Sequence, residues 1–188
     1  MRQLVKGALV VMAFAFIPVL AVGQQINLVH TITGMPLDLK LSPEQGRDTP
    51  AVKQFMETGV NPYNEVTNCL PKAEEQFLTS CSGCHGHHAE GKLGPGLADD
   101  YWTYPKNTTD KGLFETIYGG AQGMMGPQAS ARTMDEILLV IAWIRHLYHG
   151  PIEEAVWLTD EQKKNFVPYD TKNTEPLKAE GECEIPAQ

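Results

Sequence analysis

The chain has 188 residues, a length that suits one domain with extensions and is short for two well-filled domains. Hydrophobic residues make up 42% and charged residues 20%, a globular balance, while 17 glycines and 13 prolines favour a loop-rich fold. The formal net charge of −8 argues against nucleic acid as a partner, because an acidic surface repels phosphates. A protein partner is the more natural inference, although the same charge could serve solubility alone.

The first 23 residues predict a secretory signal peptide. Arg2 and Lys6 precede an uncharged apolar run, residues 7–22, that ends in small residues. A retained membrane anchor is the alternative, but this run is shorter than the roughly 20 apolar residues of a spanning helix. We expect cleavage after Gly23 and no stable membrane insertion afterwards. Losing two basic residues and no acidic ones would change the formal charge from −8 to −10.

Residues 24–70 predict an N-terminal extension, because prolines interrupt mixed polar sequence without a sustained helical or strand period. One helical segment, Pro50 to Thr58, has apolar residues on one face. A second helix is predicted from Pro71 to Ser80, where proline in the first turn is tolerated. This second helix leads directly into Cys81.

Two more helices are predicted downstream. One begins at Asp110, a good N-cap, and stops at the glycine pair 119–120. The other follows a capping-box sequence at residues 133–136 and continues to Tyr148 with apolar residues at helical spacing. The sequence has no strand-rich region.

The end of the last predicted helix and the sequence beyond it are polar. His146 and His149 lie where a cation would interact favourably with the helix dipole. Residues 150–188 contain acidic residues and prolines with few apolar side chains. We therefore expect this C-terminal extension to lie on the surface.

The segment from Cys81 to His85 has the sequence Cys-Ser-Gly-Cys-His, which is typical of covalent haem attachment. Two intervening residues let one helical turn present both thiols to one porphyrin edge, and the adjacent histidine can ligate the iron. A redox dithiol or half of a zinc site are alternatives. The sequence lacks the second cysteine pair and the βαβ pattern that those alternatives need, so it predicts one haem c, bound through Cys81 and Cys84 with His85 as an iron ligand.

A glycine-rich loop at residues 119–127 contains Met124 and Met125, about forty residues after the attachment motif. Glycine lets the backbone approach a haem face closely, and a methionine sulfur is a usual second ligand in electron-transfer haems. The alternative, that both methionines fill gaps in the core, does not explain the glycines. The loop therefore predicts the second axial ligand, with either methionine possible at this point.

Two further residues are candidates for supporting the haem. The carbonyl of Pro95, in a Gly-Pro-Gly turn, could accept the Nδ1 proton of His85 and fix its tautomer. Trp102, between Tyr101 and Tyr104, could bond a haem propionate, but ordinary core packing explains these aromatic residues equally well. In an oxidising compartment, Cys69 and Cys183 could form a disulfide that ties the C-terminal extension to the start of the haem helix.

Between residues 71 and 149 the sequence resembles the class I cytochromes c, with a helix entering the attachment motif, a Gly-Pro turn, a methionine loop and a final helix. This resemblance implies an all-α haem domain over residues 71–149, in which the first and last helices pack together around one haem.

A narrower resemblance is to the cytochrome c-L family. It rests on four segments: Cys84 to His87, Gly91 to Leu97, Tyr101 to Pro105 and Gly119 to Pro127. The family places the axial sulfur on the second methionine, here Met125, and some relatives have a histidine three residues later, where this chain has Gln128. The resemblance also implies a periplasmic protein, not an enzyme, that accepts electrons from quinone-dependent methanol dehydrogenase and passes them to a second cytochrome c. A calcium ion near the haem is a further implication, with no ligands assigned.

Three other functions fit part of this pattern. A general-purpose periplasmic cytochrome could serve another dehydrogenase or an oxidase. A haem enzyme or gas sensor would have an open sixth position, but the sequence offers no evident distal acid–base pair for one. The chain could also be a bound subunit of a larger oxidoreductase, held through its two extensions.

Overall fold

The structure, a computed structural model, describes residues 25–172, 177 and 181–185; the predicted signal peptide lies outside them. The described residues are mostly helical, which confirms the all-α prediction, and their one β-type pairing is an isolated bridge between Val29 and Pro36. The α-helices in this part of the chain are α1 (Pro50–Thr58), α2 (Leu70–Ser80), α3 (Ser82–His85), α4 (Asp110–Gly119), α5 (Met134–His146) and α6 (Asp160–Asn165). Among the same residues, no helix is long and apolar enough to cross a membrane.

Helix α5 is the central element of the fold. Its N-terminus has the predicted capping box: the Thr133 side chain accepts from the Glu136 N–H, and the Glu136 carboxylate accepts from the Thr133 N–H. Residues 137–145 are all buried, so the helix is covered on every side rather than on one face. It packs against α1, α2 and α4. The other elements of the haem domain are therefore arranged around α5.

Helix α2 carries the chain to the attachment motif. Pro71 lies in its first turn, and Ala73 and Phe77 have no exposed surface. The helix ends at Ser80, the N–H of the next residue, Cys81, donates to the Phe77 carbonyl at 2.8 Å, and α3 begins at Ser82. The packing of α2 on α5 places the first and last helices of the haem domain together, as the resemblance implied.

The start of α4 is as predicted, but its N-cap is not. The side chain of Thr109, rather than that of Asp110, accepts the hydrogen bond from the Gly112 N–H. The Asp110 carboxylate instead points inward and pairs with Arg145. Both residue types can cap a helix, and an ion pair with a buried guanidinium outweighs the capping bond that Asp110 could have made.

The N-terminal extension packs on the haem domain through α1. Thr49 caps this helix, Pro50 occupies its first turn, and Gly59 ends it in the left-handed conformation with φ of 74°. Phe55 has no exposed surface and stacks near Phe114, at a ring-centroid distance of 4.9 Å. The extension thus supplies part of the core.

The surface position expected for the C-terminal extension is wrong for its first part. Ala155, Trp157 and Leu158 are buried against Tyr148 in a second apolar cluster. The extension has few apolar residues overall, but these three are close in sequence and pack in the same cluster beside Tyr148. The predicted disulfide between Cys69 and Cys183 is present and closes a sequence separation of 114 residues.

His146 also differs from the sequence prediction. Its ring lies 5.4 Å from that of Trp143 and 5.6 Å from that of Tyr169, both measured between centroids. Burial lowers the pKa of His146 below its usual value. A neutral imidazole packed against aromatic rings therefore replaces the predicted helix-terminal cation at this position.

Loss of the disulfide should destabilise the protein, because the unfolded chain then regains the conformational freedom of a long loop. We expect the free energy of unfolding of the haem-bound Cys69→Ala/Cys183→Ala variant to fall by about 2–5 kcal/mol in urea titrations. The control is wild-type protein whose Cys69–Cys183 disulfide is reduced before denaturation, since it loses the bond and keeps both side chains. Equal urea midpoints for wild-type protein with the disulfide intact and with the disulfide reduced would contradict the prediction.

The stability contributed by His146 should depend on pH. A lowered pKa in the folded state means that the unfolded chain binds the proton more readily, so the free energy of unfolding falls as pH drops below about 6.5. We expect His146→Gln to reduce this loss in urea titrations between neutral and mildly acidic pH. His149→Gln, at an exposed position on the same segment, is the matched control. An unchanged pH profile for His146→Gln would show that burial of this ring has no such effect.

Candidate functional site

A cavity of about 450 Å³ lies between the α2–α3 junction, α4, α5 and the methionine loop. Its volume falls within the range of about 300–1,000 Å³ usual for cofactor sites. Its apolar wall residues include Leu97, Leu113, Ile117, Val140 and Ile144. The predicted site residues Cys81, Cys84, His85, Pro95, Trp102 and Met125 all line it. The fold therefore brings together side chains that are up to 44 residues apart in sequence.

The two attachment cysteines lie at one side of the cavity on a single turn. The Cys84 and His85 N–H groups both donate to the Cys81 carbonyl, at 3.1 and 2.9 Å. Cys81 is partly buried and Cys84 is exposed. Burial raises the pKa of the Cys81 thiol to about 11, while nearby Arg132 acts in the opposite direction. Such a site suits a neutral sulfur, either as a thiol or in a thioether.

His85 is held by the Gly94–Pro95 turn. Its Nδ1 atom lies 2.8 Å from the Pro95 carbonyl oxygen. Because a carbonyl only accepts hydrogen bonds, Nδ1 carries the proton and Nε2 is the nitrogen available to a metal. A Cβ atom at Gly94 would lie 2.7 Å from His85 Cε1, so only glycine lets the backbone approach the imidazole this closely.

The methionine loop covers another side of the cavity. Gly120 leaves α4 with φ of 83°, and the Ala121 N–H donates to the Met125 carbonyl at 2.9 Å. Tyr104 Oη accepts from the Gln122 N–H at 3.0 Å and fixes the middle of the loop. Both methionines line the cavity, but Met124 is 80% exposed whereas Met125 packs against the core. This difference in burial favours Met125 as the residue that faces a bound group.

The three predicted aromatic residues occupy different environments. Tyr101 is 71% exposed, Tyr104 bonds the methionine loop, and Trp102 is buried in the cavity wall. The guanidinium carbon of Arg145 lies 5.2 Å from the centroid of the Trp102 ring. The Arg145 guanidinium therefore makes a cation–π contact with the Trp102 ring.

Sequence reasoning assigned no role to Arg145, although it is buried and contacts the cavity wall. The available signal is a single arginine in the otherwise apolar stretch 137–145, where its charge requires a buried partner. Its partner, Asp110, was interpreted as a helix cap.

The residues of the cavity fit a covalently bound haem c. Two thiols lie one turn apart, an imidazole presents Nε2, and a thioether lies in the facing loop, so the donor set matches that of c-type haems. Among the described residues, no group of three or more His, Cys, Asp or Glu side chains could hold a metal ion.

Comparison with known proteins agrees with this geometry. A family model described as cytochrome c oxidase, cbb3-type, subunit III matches residues 70–144, from α2 to α5. Cytochrome c-L of Methylorubrum extorquens is 60% identical over 163 residues, which cover 86% of this chain and 83% of that protein.

Two crystal structures are also similar. Cytochrome cL from Hyphomicrobium denitrificans is 63% identical with a TM-score of 0.73, and covers 79% of this chain and 89% of its own. Cytochrome cL from the marine methylotroph Methylophaga aminisulfidivorans is 55% identical with a TM-score of 0.75, and covers 78% of this chain and 97% of its own. The chain is therefore a monohaem c-type electron-transfer cytochrome of methylotrophic metabolism, and it belongs to the cytochrome c-L family.

Proposed function

We propose that this chain is the periplasmic electron acceptor of a quinone-dependent methanol dehydrogenase, and that it passes each electron to a second cytochrome c. Membership of the cytochrome c-L family supports this function, and the observation that carries it is the donor set gathered around one cavity. A bound haem c supplies an iron that gains and loses single electrons. The chain is accordingly an electron-transfer protein and not an enzyme.

We assign the haem contacts to the following residues. Cys81 and Cys84 would form the thioether bonds, His85 would bind the iron through Nε2, and Met125 would supply the second protein ligand of the iron. Pro95 orients the His85 ring through its carbonyl, and Trp102 forms part of the apolar wall that excludes water. Because both iron ligands would come from the protein, this donor set would favour electron transfer over substrate binding.

Electron exchange requires that the partner approach the cavity closely. Several residues that line the cavity are exposed, among them Cys84, Leu93 at 77% and Met124 at 80%. They mark the mouth at which we expect the dehydrogenase to dock. Redox encounters usually bury less than about 1,200 Å² of total surface, so a small mouth is sufficient for a transient complex.

Several features support export to the periplasm. Residues 1–23 have the pattern of a signal peptide, residues 24–70 and 150–188 flank the haem domain as extensions, and the bond between Cys69 and Cys183 is of the kind that persists in oxidising compartments. The formal charge of −10 that remains after signal cleavage would guide encounters with a basic surface on the dehydrogenase.

Stopped-flow absorbance tests the proposed donor. Oxidised, haem-bound protein mixed with methanol-reduced methanol dehydrogenase should be reduced rapidly, and the second-order rate should fall as salt rises, because salt screens the attraction between opposite charges. Reduction by a neutral hydroquinone is the control, and its rate should change little with salt.

Slow, salt-independent reduction by the dehydrogenase would contradict the proposal. It would leave a c-type carrier whose donor is another enzyme, which is the general-purpose function considered from the sequence.

A further inference from the structure

Asp110 and Arg145 form a buried ion pair directly behind the haem cavity. Arg145 Nε donates to Asp110 Oδ1 at 2.9 Å, and each side chain is only 1% exposed. Ile144, the residue before Arg145, lines the cavity, and so does Leu113, three residues after Asp110. The pair is therefore one layer of side chains away from the cofactor site.

Further contacts connect Arg145 to the cavity wall. Its Nη2 atom donates to the carbonyls of Asn107 and Thr108, at 2.9 and 3.2 Å. Its guanidinium carbon lies 5.2 Å from the ring centroid of Trp102 and 4.0 Å from that of Trp157. Trp102 and Asn107 both line the cavity, while Trp157 belongs to the C-terminal extension. Arg145 thus links the extension to the haem site.

Arg145 does not itself extend into the cavity. Its remaining terminal nitrogen, Nη1, is buried and has no hydrogen-bond acceptor among the described residues. A nitrogen facing a cavity with an exposed mouth would have measurable exposure, so this one faces protein. The two indole faces compensate for the missing acceptor, since aromatic rings attract a desolvated cation. Arg145 is therefore a positioning residue and not a ligand of the haem carboxylates.

The Asp110 carboxylate is held equally firmly. Its Oδ2 atom accepts from the Asn61 N–H at 2.9 Å and from Asn64 Nδ2 at 2.8 Å. Both residues lie in the N-terminal extension, just after α1. The carboxylate therefore has hydrogen bonds beyond the ion pair and can stay in place when Arg145 is replaced.

We propose that the Asp110–Arg145 pair keeps the buried charge beside the haem cavity balanced, so that neither group alone shifts the reduction potential of the bound haem, and that Arg145 fixes Trp102 in the cavity wall. In the folded protein the two opposite charges cancel at the iron. Removing one leaves a net charge in a poorly screened interior, where its field acts over several residues. A remaining cation disfavours the oxidised iron and raises the potential, whereas a remaining anion stabilises the oxidised iron and lowers it.

Redox titration of the haem-bound protein tests this proposal. It rests on haem binding alone and needs no dehydrogenase, so it can fail or succeed independently of the proposed electron donor. We expect the midpoint potential to rise in Asp110→Asn and to fall in Arg145→Gln. In the double variant, which has neither charge, we expect a midpoint close to that of wild type. Lys164→Gln removes one charge from an exposed ion pair on α6 and should leave the potential unchanged.

The opposite signs separate this role from simple structural support. Loosening of the cavity wall alone would move both single variants in the same direction, and that result, or no shift in either, would overturn the proposal. Arg145→Lys keeps the charge but loses the planar contact with Trp102, so its potential should stay near wild type while its urea midpoint falls. If one single variant does not fold, the other still tests the sign: Asp110→Asn must raise the potential or Arg145→Gln must lower it, and no shift or the opposite shift overturns the proposal.

Discussion

The packing of α2 against α5 sets the positions of two opposing sides of the haem site. Helix α2 ends at Ser80, directly before Cys81, so its position on α5 sets the place of both attachment cysteines and of His85. Helix α5 contributes Val140 and Ile144 to the opposing wall. Because protein interiors are close-packed, a shift of either helix would change the width of the cavity between them. The capping box at the start of α5 and the disulfide near the start of α2 restrict such a shift.

The two extensions stabilise this arrangement through specific polar contacts as well as apolar burial. The N-terminal extension is held where the Val29 N–H donates to the Glu115 carboxylate at 2.8 Å, and where two asparagine groups bond Asp110. The C-terminal extension is held by Trp157 on Arg145 and by Cys183. Buried charges require such partners, since each unpaired one would cost several kcal/mol, roughly 3–5. The extensions are thus part of the environment of the haem and not appendages.

Local sequence signals predicted much of the fold and of the candidate site. The attachment motif, the capping box and the glycine-rich loop each act within a few residues, so pattern alone located α2, α5 and the methionine loop. The ion pair of Asp110 could not be predicted in this way, because its partner Arg145 is 35 residues away. Local sequence also does not choose between Thr109 and Asp110 as the N-cap, since both residue types are good caps. The burial of Trp157 and the lowered pKa of His146 likewise depend on contacts between distant segments.

Assignment of His85 and Met125 as the axial ligands is the step on which the functional account depends. The near-infrared absorption of the oxidised, haem-bound protein tests it most directly, because a sulfur-to-iron charge-transfer band reports methionine ligation. We predict that wild-type protein and Met124→Leu have this band and that Met125→Leu lacks it. A band that persists in Met125→Leu, or that disappears in Met124→Leu, would contradict the account.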